Sequence, residues 1–156
     1  MVNNRNRIVP KVDNFPKNPA IRYARTTPRT KLQLKTILYL DVVRKGSNFV
    51  FETYSIFDVL NSYSYLTDSQ KLDNYQNIYF DLTEVYRRKL AAELIKSNVQ
   101  FEDIEGIYFA INNQLIEAQK QMESEAFGWK ENKLIKWNNL IRNELGIDNF
   151  KMFMLE

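Results

Sequence analysis

All four prolines of this chain, Pro10, Pro16, Pro19 and Pro28, lie in its first segment, where its positive charge is also densest. Residues 1–35 hold nine of the 22 basic residues, Arg5, Arg7, Lys11, Lys17, Arg22, Arg25, Arg29, Lys31 and Lys35, against one acid, Asp13. The other 121 residues reverse the sign with 13 basic and 18 acidic side chains, so the formal +3 joins a segment near +8 to a body near −5. Proline fixes φ and has no N–H to donate, and Asn3, Asn4, Asn14 and Asn18 add turn propensity, which argues against a helix or a central strand there. The chain therefore reads as an extended basic arm over residues 1–30, a single globular body over 31–146 and an apolar tail over 147–156.

The arm is more than a polar tether. Ile8, Val9, Val12, Phe15, Ile21 and Tyr23 recur between its charges, a pattern suited to an extended chain laid on another surface with side chains dropping into pockets. Three surfaces are open to it: its own acidic body, a neighbouring protein in a large assembly, or nucleic acid. Arg5, Arg7, Arg22, Arg25 and Arg29 could cover phosphates and give strong salt dependence. They are dispersed, however, with no Lys/Arg run, and the acidic body would repel phosphate. Protein is the better match.

In the body, residues 31–43 alternate through Leu32, Leu34, Thr36, Leu38, Leu40 and Val42, and the period of two predicts a strand; the competing reading is a helix over 31–44 with Leu34, Leu38 and Val42 on one face. Lys45-Gly46-Ser47-Asn48 is a turn signal and Phe49–Tyr54 the returning strand, giving a hairpin over 31–54. A lone hairpin needs cover. Ser55 is placed to cap a short helix over 56–63. Thr67 and Gln70 form a capping box, and Leu72, Tyr75, Tyr79, Leu82, Tyr86, Leu90 and Leu94 return every three or four residues to predict a helix over 68–96. Ile104, Tyr108, Ile111, Leu115, Ala118 and Met122 make a heptad-like seam in a helix over 102–125, expected to pack on the preceding one, with packing on another chain as the alternative. Gly106 lies inside it, at a cost unless a neighbour approaches closely. A last helix over 130–145, with Leu134, Trp137, Ile141 and Leu145 inward, ends at Gly146. The expected fold class is α+β, mostly helical: an extended arm and a hairpin, then three or four helices packed as a small bundle. The tail residues Phe150, Met152, Phe153, Met154 and Leu155 either add a strand to the hairpin or dock on a partner.

Composition limits the chemistry. The chain has neither cysteine nor histidine, which removes disulfides, thiol catalysis, the usual general base and the commonest zinc ligand. Its four glycines are isolated, so no phosphate-cradling loop can form. Glu102, Asp103 and Glu105 would need Asp58, Asp68 or Asp81 from another element to hold a divalent cation, and Asp81 and Glu84 read as surface carboxylates. Arg87, Arg88 and Lys89 read as a solvated face paired with Glu84 and Glu93. Tyr86 belongs to the apolar stripe. A DNA-reading helix over 68–81 would present Gln70, Lys71, Asn74, Gln76 and Asn77, but Asp68, Asp73 and Asp81 suit a phosphate-lined groove badly. No catalytic, cofactor or metal residue is assigned.

The sequence thus points to a non-enzymatic structural subunit of a large assembly, in a ring or head-to-tail connector position of a phage or viral particle. Neighbours, copies of itself or other proteins, would interlock through the arm. Arm contacts are expected from Arg5, Arg7, Ile8, Val9, Phe15, Ile21, Arg22, Tyr23, Arg25 and Arg29. Nucleic-acid binding through the arm is the second reading, and a carboxylate-based metal-dependent enzyme the third. With no apolar leader region and no stretch of 18 apolar residues, neither a cleaved signal nor a membrane span is expected. The expected location is the virion, assembled in the cytoplasm, or else the cytoplasm itself.

Overall fold

The structure, a computed structural model, describes residues 32–66, 69–126 and 130–150. The arm to residue 30, the tail residues Met152–Leu155, Thr67 of the expected capping box and Gly128 lie outside them. Eight elements follow in order: β1 (Leu32–Gln33), β2 (Thr36–Lys45), β3 (Asn48–Phe57), β4 (Tyr63–Ser64), α1 (Gln70–Leu94), a 3-10 turn (Phe101–Asp103), α2 (Ile104–Glu125) and α3 (Glu131–Leu145). The expected class, a small α+β domain with a hairpin ahead of helices, is the one formed.

β2 and β3 pair antiparallel from Thr36↔Phe57 to Lys45↔Asn48. The two-residue loop between them carries Gly46 at φ +63°, the left-handed value such tight turns require. The expected helix over 56–63 is absent. Period-two pairing runs on through Ile56 and Phe57, and the Ser55 hydroxyl donates to Glu84 Oε2 at 2.9 Å instead of capping. Asp58 then fixes a turn, accepting from the Asn61 backbone N–H (3.2 Å) and side-chain amide (2.7 Å), and β4 follows to pair with β1. Tertiary pairing outweighs a local cap signal here.

α1 begins at Gln70, two residues later than expected. Ser69 is its N-cap, its side-chain oxygen accepting from the Leu72 N–H at 3.2 Å. The stripe from Leu72 to Leu94 faces the core, and the seam Ile104, Ile111, Leu115, Met122 of α2 is buried against it within the chain. α3 packs on α1 through Leu134, Trp137, Ile141 and Leu145, and Gly146 ends it at φ +71° with its N–H donating to the Arg142 carbonyl. The inner row of the hairpin, Leu38 with Leu40, Val42, Phe49 and Phe51, closes on the same core.

α1 is therefore the common partner of hairpin and both other helices. One polar link joins three elements: the Thr83 hydroxyl donates to Thr36 Oγ1 (2.6 Å), which also accepts from Gln119 Nε2 (2.7 Å), linking α1, β2 and α2. A further polar chain seats the turn after α3. Asn149 Nδ2 donates to Asp81 Oδ2 (3.0 Å), and its backbone N–H donates to Asn138 Oδ1 (2.9 Å). Asn138 Nδ2 in turn donates to Asp148 Oδ1 (3.0 Å). Asp81, expected on the surface, is only 2% exposed. The i,i+3 spacing with Glu84 hides this, because the polar partner arrives from 68 residues along the chain.

Gly106 has no atom within 4 Å of where a Cβ would stand, so no close approach explains it. Gly106→Ala is expected to raise unfolding stability by about 0.5–1 kcal/mol, read as an increase in denaturant midpoint at unchanged m-value.

Candidate interaction surface

The informative region is the hairpin, because both rows of its alternation are apolar. The inner row meets the helices and the outer row does not. Across the outer face the register pairs Ile37↔Ile56, Tyr39↔Tyr54, Asp41↔Glu52 and Val43↔Val50, so three apolar pairs surround one pair of acids. The six apolar side chains remain exposed, and the Tyr39 and Tyr54 rings lie 6.1 Å apart. Two carboxylates directly opposite each other in a ladder oppose pairing. Tyr54 eases this by donating its hydroxyl to Glu52 Oε2 at 2.7 Å, a bond that, with the Glu52 charge, raises the tyrosine pKa above its ordinary value.

Beside this face, along the side of β2 away from β3, runs an open groove of about 720 Å³. Its strand wall runs from Ile37 to Arg44, and its helix wall comprises Phe101, Glu102, Ile104, Glu105, Tyr108 and Phe109. One end is tied by the Tyr108 hydroxyl donating to the Leu38 carbonyl (2.9 Å). At the other, Arg44 pairs with Glu102 (3.2 Å) and lies 5.1 Å from the Phe101 ring centroid. Ile37, Tyr39 and Phe109 are 38, 44 and 52% exposed. The groove is apolar in its walls, and its rim carries Glu102 and Glu105 against the one cation Arg44, a net excess of one negative charge.

The hairpin is held at a fixed attitude by Glu84 of α1. Its carboxylate accepts from Arg87 Nε (2.7 Å) and Nη2 (2.8 Å), from Arg88 Nε (3.1 Å) and from the Ser55 hydroxyl, while Arg87 Nη1 reaches Thr53 Oγ1 at 2.9 Å. Arg87 is thus a half-buried bracket between helix and sheet, where the sequence suggested a solvated face. The bidentate fork fits this task better than a lysine would. Burial alone would push the Glu84 pKa up, but the hydrogen bonds and charge of Arg87, with Arg88 and Ser55, outweigh it and hold the pKa below the ordinary glutamate value.

The remaining sequence candidates do not converge. Among the described residues no three Asp or Glu side chains group as metal ligands. Asp103 accepts from the Gln100 N–H (2.9 Å), Glu102 is committed to Arg44, and Asp58 to its own turn. Tyr86 is half-buried with Lys89 Nζ 4.6 Å from its ring centroid, and burial raises its pKa. Asn74, Gln76 and Asn77, three of the side chains a DNA-reading helix would present, are buried. Phe150 packs against the chain's own core, its N–H donating to Asp148 Oδ1 at 3.1 Å. The arm residues from Arg5 to Arg29 and the tail residues Met152, Phe153, Met154 and Leu155 lie outside the described residues. Among those described, no helix is long and apolar enough to cross a membrane. The sequence signal for this surface is the apolar character of both rows of the hairpin, which by itself indicates only that the hairpin needs cover.

Comparison with protein-family models, with curated proteins and with solved structures finds no match.

Glu84→Gln is expected to cost about 2 kcal/mol at neutral pH, since Arg87 and Arg88 lose their countercharge. The depressed pKa also fixes the sign of the pH effect. Stability from Glu84 is fully present above the unfolded-state value of about 4.3 and is lost as pH falls through the lower folded value. Chemical denaturation between pH 7 and 3 should therefore show a shallower acid decline for Glu84→Gln than for the wild-type chain.

Proposed function

We propose that this chain is a non-enzymatic structural subunit of a large assembly, in a ring or connector position of a phage or viral particle, and that neighbouring copies interlock through the basic N-terminal arm. The observation that carries the proposal is the outer side of the hairpin. It offers an exposed apolar ladder centred on Asp41 and Glu52 beside an apolar groove rimmed by Glu102 and Glu105. The arm has the complementary character, with apolar anchors between positive charges. Opposite potentials of this kind steer association and fix orientation more than they add raw affinity, which suits a repeated contact that must form in one register.

The bracket at Glu84 and the Thr36–Thr83–Gln119 link favour the same role, since a surface used for repeated docking has to keep its shape. An arm that reaches the next subunit makes a head-to-tail contact, and such contacts close into rings when the rotation permits. The virion assignment rests on the kind of assembly that small armed proteins serve.

Deleting residues 1–30 tests the proposal. The expected result is loss of the oligomer, measured by sedimentation velocity, and loss of incorporation into particles. Unchanged oligomerisation and incorporation would sink it, and salt-sensitive binding of DNA or RNA by the intact chain with no self-association would move the arm's role to nucleic acid.

A further inference from the structure

The groove beside β2 has a backbone wall as well as a side-chain one. Asp58 donates its N–H to the Lys35 carbonyl at 2.9 Å, which continues the β2–β3 ladder at a hydrogen-bonded pair. In an antiparallel ladder such pairs alternate. The odd-numbered residues of β2 therefore bond to β3, and the even-numbered ones turn their N–H and C=O groups to the opposite edge, into the groove. The Tyr108–Leu38 bond confirms the direction. Past Leu38, at Leu40, Val42 and Arg44, the described residues supply no partner strand, because the sheet has two strands only.

An unpaired edge of this kind is a template for one more strand, and the sequence of the arm limits which segment could add. Proline cannot donate to a ladder. Between Pro19 and Pro28 the arm has a proline-free stretch, Ala20-Ile21-Arg22-Tyr23-Ala24-Arg25-Thr26-Thr27. Its alternation puts Ile21, Tyr23 and Arg25 in one row and Arg22 in the other.

Resting on the interlocking role proposed above, we propose that residues 21–25 of one copy add as a strand to the Leu40–Arg44 edge of a second copy. Ile21 and Tyr23 fill the apolar floor against Phe101 and Phe109. Arg25, in the same row, meets the Glu102/Glu105 rim. Arg22, in the other row, stands beside Asp41. Backbone hydrogen bonds supply affinity and the alternate rows supply register, so the contact needs no cavity enclosing the segment.

Charge exchange in the full-length chain tests this. Arg25→Glu and Glu102→Lys/Glu105→Lys should each weaken self-association at least about tenfold, read by sedimentation velocity. An equimolar mixture of the two variants should restore it, since each arm then meets a groove of opposite sign on the other variant. Amide hydrogen exchange gives a second readout: Leu40 and Val42 should exchange slowly in the wild-type oligomer and fast in either variant alone. If deletion of residues 1–30 abolishes association while both charge variants associate normally and Leu40 and Val42 exchange fast, interlocking stands and this docking site is overturned. If Leu40 and Val42 are protected in a monomer and mixing restores nothing, the segment lies on its own chain and the second-copy occupant is overturned. If neither deletion nor exchange of charge affects association, both proposals fall.

Discussion

The constraint on which this fold depends is the burial of α1 on every side between Asn74 and Thr83. A helix with one apolar stripe can satisfy one neighbour, but α1 is asked to satisfy the hairpin, α2 and α3 together. Its polar residues are consequently drawn inward and become ties to those neighbours: Thr83 to β2 and α2, Asp81 to the turn after α3, Glu84 and Arg87 to β3. Each tie joins parts of the chain far apart in sequence, so the hairpin cannot shift on the helices without breaking a bond in a place water does not reach easily. The arrangement has a cost. Among the described residues, the side-chain amides of Gln76 and Asn77 and the Asn74 carbonyl oxygen have no hydrogen-bond partner, at about 1–3 kcal/mol for each unsatisfied group.

The same constraint separates what could be read from the sequence from what could not. Repeats that a single element imposes on itself were legible: the alternation of β2, the stripe of α1, the seam of α2, the glycine that ends α3. Signals whose meaning depends on a distant partner were not. Ser55 has a capping side chain, but β2 offers pairing through Phe57 and Glu84 offers its hydroxyl a better acceptor. Asp81 and Glu84 look alike at one turn's separation. One is sealed beneath Asn149 and the other is clamped by arginines, and nothing local in the sequence distinguishes them. The groove was hidden for a related reason, since Phe101 and Phe109 become walls only once Tyr108 brings α2 to the Leu38 carbonyl.

The helices leave single apolar side chains such as Phe109, Ile116, Ile135 and Leu140 exposed beside a buried stripe, whereas the hairpin keeps a whole second apolar row in reserve. That asymmetry divides the molecule by task. α1, α2 and α3 with the inner row of the sheet hold shape, and the outer row and open edge of β2 face whatever the molecule meets. Because the two rows share one backbone, the rigidity built on the first is passed directly to the second.

Asp41 opposite Glu52 gives that second row a selectivity beyond charge attraction. An apolar face of this size would ordinarily invite the like face of another copy, sheet upon sheet. Brought together that way, two such faces would trap four carboxylates in a dry centre with no cation between them. Burying the pair unpaired therefore disfavours stacking of two such faces, and the carboxylates suit a strand or side chain that brings its own positive charge.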